Sequence, residues 1–106
     1  MTKEGAQELL NFKKEGCLEL SSLKSLTEDA AEVLSTYNGE LEFYKLNEMS
    51  EMTAEKLSKH KGWISFYRIE SLSDIAAEYL SSHEGGLNFS NLKNISDIGK
   101  KYLNRR

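Results

Sequence analysis

Two hydrophobic rhythms take turns along this chain. In Leu18-x-Leu20, Leu41-x-Phe43, Ile64-x-Phe66 and Leu87-x-Phe89 every second residue is apolar, the period-2 signature of a short strand with one buried face. Each is followed by small and large apolar residues at spacings of three and four: Ala30, Ala31 and Leu34, then Ala54 and Leu57, then Ala76, Ala77 and Leu80. That spacing draws one stripe along a helix, and small residues in it let the helix lie close to its neighbours. Every helical stretch opens on a hydroxyl, Thr27, Ser50, Ser73 or Ser96, with an acid next to it, Glu28, Glu51, Asp74 or Asp97. A hydroxyl at that place caps the helix and the acid meets the positive end of its dipole, so helices of about ten residues are expected. Gly39, Gly62 and Gly85 close the units and suit left-handed helix stops.

The two rhythms recur together. Gly16, Gly39, Gly62 and Gly85 stand 23 residues apart, and so do four apolar columns: Leu18, Leu41, Ile64, Leu87; Leu20, Phe43, Phe66, Phe89; Leu23, Leu46, Ile69, Leu92; Leu26, Met49, Leu72, Ile95. The repeats are therefore 17–39, 40–62, 63–85 and a shorter 86–106. Residues 1–16 precede them as a partial repeat or capping helix, in which Ala6 and Leu10 take the Ala and Leu positions. A strand and a helix this short cannot bury their apolar faces alone, whereas stacked copies bury them against each other. The expected fold class is α/β, a βα solenoid with a short parallel sheet on one face and helices on the other. At the far end Gly99 and Lys100 replace the paired small residues, and a lysine does not suit a buried column.

The pattern L-x-L-x-x-L-x-x-L, standing as "LELSSLKSL", "LEFYKLNEM", "ISFYRIESL" and "LNFSNLKNI", resembles the leucine-rich repeat family over residues 17–106. It departs from the familiar form where the usual asparagine is replaced by Leu23, Leu46, Ile69 and Leu92, which makes it similar to bacterial-type variants without an asparagine ladder. The resemblance implies a recognition scaffold that binds a protein or peptide.

Composition narrows the alternatives. A chain of 106 residues, 39% hydrophobic and 29% charged, is expected to fold as one domain. No apolar run approaches the roughly 20 residues of a membrane helix, and "MTKEGAQELLNFKKEG" has charges where a signal peptide needs apolar residues. No membrane partner is expected and a cytoplasmic setting is favoured. The single cysteine, Cys17, can form no internal disulfide. The net charge of −3 is uneven: Lys93, Lys100, Lys101, Arg105 and Arg106 against Asp97 leave the last repeat basic, while residues 17–62 are acidic. Without a nucleic-acid motif or a basic stripe along the rest of the chain, no nucleic-acid partner is expected.

Parity assigns the strand residues. With Ile64 and Phe66 inward, Trp63, Ser65 and Tyr67 point outward. The same columns hold Glu40, Glu42 and Tyr44 on the preceding strand, Cys17, Glu19 and Ser21 before it, and Gly86, Asn88 and Ser90 after. Strand spacing puts Tyr44 beside Tyr67, with Lys45 and Arg68 at the edge. Trp63, Tyr67, Tyr44, Arg68 and Glu42 are thus the candidate partner-binding residues, an aromatic and charged composition typical of interaction hot spots. The bland reading is that the tyrosines are a cross-strand pair and the tryptophan covers a turn.

His60 and His83 fall at equivalent positions, read as an exposed turn where two imidazoles near Glu84 make only a weak metal site. No metal and no cofactor are expected. With no phosphate loop, no nucleophile elbow and no histidine at an informative spacing from a nucleophile, catalytic residues are absent and an enzyme is not expected. Glu32, Glu55 and Glu78 recur at one helix position as a solvated stripe. The competing reading is a structural spacer, or a fragment of a longer array in a larger protein, self-associating through its ends.

Overall fold

The computed structural model describes residues 1–105. Elements follow in strict alternation: α1 (Lys3–Phe12), β1 (Gly16–Leu20), α2 (Glu28–Leu34), β2 (Gly39–Phe43), α3 (Glu51–Ser58), β3 (Ile64–Phe66), α4 (Asp74–Ser81), β4 (Leu87–Phe89) and α5 (Asp97–Asn104). The strands form one all-parallel sheet in the order β1-β2-β3-β4, as in an α/β protein. Pairing runs in the register of the sequence repeat, Leu18↔Leu41, Leu41↔Ile64 and Ile64↔Leu87. Helices pack neighbour on neighbour in the same order.

The apolar columns are the core. Leu41, Phe43, Ile64, Phe66, Leu46 and Ile69 are fully buried, as are Leu34, Leu57 and Leu80 on the helices. Phe43, Phe66 and Phe89 stack ring on ring, with centroids 5.3 and 5.1 Å apart. Burial thins at the ends of the stack. Leu23, Leu26, Leu87, Phe89, Leu92 and Leu103 are only partly covered, and Lys100 is exposed on the last helix, which has no helix beyond it among the described residues.

Helices α2 to α5 are capped as the pattern predicts, and α1 is capped in the same way by Thr2. Thr2, Thr27, Ser50, Ser73 and Ser96 each accept a hydrogen bond from the backbone N–H three residues on. Two of these hydroxyls also reach the acid of the preceding repeat, Ser73 donating to Glu51 and Ser96 to Asp74. Counted from Thr2, it is Leu9 rather than Leu10 that takes the position of Leu34.

Two expectations are corrected. The helices α2 to α5 have seven or eight residues rather than about ten. In the first three repeats hydroxyls at the helix ends fold back onto the last carbonyls, Ser35 onto Glu32, Ser58 onto Glu55 and Ser81 onto Glu78, satisfying groups that a further turn would have used. Nor are the repeat glycines left-handed stops: among the described residues positive φ is confined to Gly16 (φ 84°). At Gly39, Gly62 and Gly85 a Cβ would run into the carbonyl oxygen of the glycine one repeat earlier. These glycines are there because successive turns touch backbone to backbone.

Candidate functional site

The outward face of the sheet gathers the residues that parity pointed to. Tyr44 and Tyr67, just past β2 and β3, stack with ring centroids 4.7 Å apart and planes 6° from parallel. Both are half-buried. Beside them Glu42 accepts from both phenols, from Tyr44 at 2.8 Å and Tyr67 at 3.2 Å. A third donor was not foreseen: the Cys17 thiol on β1 lies 2.9 Å from Glu42 Oε1. The register Cys17↔Glu40 and Glu19↔Glu42 places Cys17 diagonally across from Glu42, which strand pairing of the repeats already encoded.

These bonds set the protonation states. Donation by Cys17, then by Tyr44, holds the Glu42 carboxyl below the usual carboxylate range, against an opposing effect of burial, and Tyr67 adds to the lowering. The Cys17 thiol is pushed up to about 12, first by burial, then by its bond to Glu42 and the charges of Glu42, Glu40 and Glu19. The phenol of Tyr44 is raised as well, chiefly by its bond to Glu42. Cys17 is thus held as a thiol, the unreactive form.

Trp63 is 45% exposed. Its indole N–H donates to Ser65 Oγ at 2.7 Å, and its six-membered ring lies over Gly86, where any Cβ would collide with it. Ser65, expected outward and open, is consequently buried at 3%: it points outward but sits under the indole. Arg68 and Lys45 are exposed at the edge of the tyrosine pair.

His60 and His83 are not on an exposed turn. Both are buried, at 1% and 3%, and stack at 6.1 Å. Tyr37 precedes them in the same column and donates from its hydroxyl to the Gly16 carbonyl, just as His83 Nε2 faces the carbonyls of Gly62 at 2.9 Å and Gly86 at 3.2 Å. His60 Nδ1 accepts from the Gly62 N–H, while its Nε2 makes no hydrogen bond of ordinary geometry. Burial lowers the pKa of His60, partly offset by the Gly39 carbonyl. The column is a ladder of rings over the glycine turns; aligning Tyr37 with the two histidines was the signal that would have shown it. Among the described residues no three His, Cys, Asp or Glu side chains are placed to hold a metal ion, and no helix is long and apolar enough to cross a membrane.

Comparison with family models, curated proteins and solved structures returned no significant match.

Proposed function

We propose that the chain is a leucine-rich-repeat-like βα solenoid that binds a protein or peptide through its outward strand face, centred on Trp63, Tyr67, Tyr44, Arg68 and Glu42. Supporting the solenoid are the 23-residue register and the all-parallel order of the strands. Parallel strands stand about 4.8 Å apart whereas packed helices need about 8–10 Å, so stacking favours a bend with the strands on the inner side. The observation that carries the binding reading is Trp63, a large ring left 45% exposed on a face that already holds a preorganised tyrosine pair. Rigid aromatic groups of this kind anchor interfaces at little entropic cost.

The test is capture from a lysate of the source organism by the wild-type chain beside a Trp63→Ala, Tyr67→Ala double variant of unchanged folding. A specific protein retained by the first and lost by the second is the expected result, and equal retention or none overturns the reading. A second reading, a spacer within a longer array, draws on the partial exposure of Leu87, Phe89, Leu92 and Leu103 at the end of the stack. Concentration-dependent association that survives the double variant favours it.

A further inference from the structure

At the far end of the row the sheet stays open while the helix layer is closed. Ile64 donates its backbone N–H to the Gly86 carbonyl and Ser90 donates to that of Phe66, so the even-numbered residues of β4 are turned toward β3. In a parallel ladder the backbone groups of Leu87 and Phe89 therefore point the other way, and no strand follows β4 among the described residues. Leu41, Ile64, Phe43 and Phe66, the earlier members of the same two columns, are fully buried, whereas Leu87 and Phe89 are partly exposed. Edge strands are commonly blunted by a charge or a proline, but residues 86–90, GLNFS, hold neither.

Above this edge Ala31, Ala54 and Ala77 form a buried column. The Ala77 methyl lies on the side of α4 that meets α5, 3.6 Å from where a Cβ on Gly99 would stand. Lys100 is the next member of that column and is exposed. A further helix would have to bury its ammonium, so what fits this end is a strand without a helix. The same lysine counts against a second copy. Two copies meeting by this end would set their Lys100 side chains against each other. A copy arriving head to tail would lead with α1, which packs on α2 and stands one place ahead of β1, and would press a helix onto Lys100 before its sheet reached β4. Charge describes the remaining occupant: Lys93, Lys100, Lys101 and Arg105 outnumber Asp97, the one acid of residues 86–105.

We propose that β4 takes an extended segment of another protein as a fifth strand, apolar at two alternate positions that cover Leu87 and Phe89, and acidic overall. An aromatic ring at the second position would continue the stack of Phe43, Phe66 and Phe89. Main-chain pairing supplies affinity and the alternate side chains supply selectivity. This edge is separate from the outward face that carries Trp63, so either surface can fail without the other.

The probe is a synthetic peptide copying Glu40–Glu48, ELEFYKLNE, capped at both ends, which has the alternation, the ring and three glutamates against one lysine. Added to the wild-type protein, it should slow amide exchange across residues 87–89. Binding followed by fluorescence anisotropy should weaken about three- to tenfold when its glutamates are replaced by glutamine, or in the Lys100→Glu variant. Tyr44 donates to the Leu20 carbonyl, so even-numbered residues of this segment face the strand before it. Methylating the peptide nitrogen of Glu42 should therefore abolish binding, whereas methylating that of Phe43 should be tolerated. Equal binding by the two methylated peptides, no binding at all, or protection of β1 in place of β4 overturns the proposal. So does protection of residues 87–89 that grows with protein concentration alone, the mark of a second copy.

Discussion

Glu42 receives donors from its own strand and from both neighbours, and burial together with the bond to Glu42 sets the state of Cys17. A thiol pushed up to about 12 has almost no thiolate at pH 8.5, where an ordinary cysteine is about half ionised. Alkylation of folded Cys17 by iodoacetamide should be at least roughly tenfold slower than that of a model thiol, and Glu42→Gln should restore much of the rate. Unchanged kinetics in the variant would mean that burial alone protects it. His60 yields a pH dependence. Its folded pKa is depressed, so the unfolded chain binds the proton more readily. Stability is therefore complete above the unfolded value near 6.5 and declines as pH falls below it toward the folded value. His60→Tyr, which copies Tyr37 in the same column, should reduce that slope between pH 7.5 and pH 5 in urea titrations. At this scale the sequence was partly legible. Parity and period were enough to place Trp63, Tyr44 and Tyr67, because strand alternation is geometric. They could not show Ser65 under the indole or the histidines inside, since both depend on where a ring turns after it leaves the backbone.

Glycine separates two physical roles at the level of the element. A Cβ at Gly62 would lie 2.7 Å from the Gly39 carbonyl oxygen, a backbone atom that cannot step aside. At Gly86 the obstacle is the Trp63 ring, which can. Gly62→Ala should therefore cost about 1–3 kcal/mol, read by chemical denaturation. Gly86→Ala should cost less but shift the tryptophan emission as the indole is displaced. The strands, the N-caps and their order were all readable from hydroxyls and alternation, as local chemistry decides them. Helix lengths and the reason for the glycines were not, because one rests on side chains folding back to carbonyls and the other on contact between turns 23 residues apart.

For the whole molecule, extents of 40 × 23 × 21 Å describe a short row of units in which each is held by its neighbours. Opening should begin where only one neighbour exists. Amide hydrogens of β4 and α5 should exchange faster than those of β2, β3 and α3 in mass-resolved exchange, and Phe89→Ala should destabilise less than Phe66→Ala, for which about 3–5 kcal/mol is expected. Uniform exchange across the row would show that it opens as one block. The common register has an evolutionary consequence too. Removal of residues 40–62 brings Gly39 against Trp63 with every core column still in step, so gain or loss of one unit is a small event for the scaffold. The carboxylate hub is different: its base is contributed by one unit and its donors by that unit and two others. Shuffling units would therefore take the hub apart while sparing the fold, and lineages that vary the number of units are free to change this face without having to learn again how to stand.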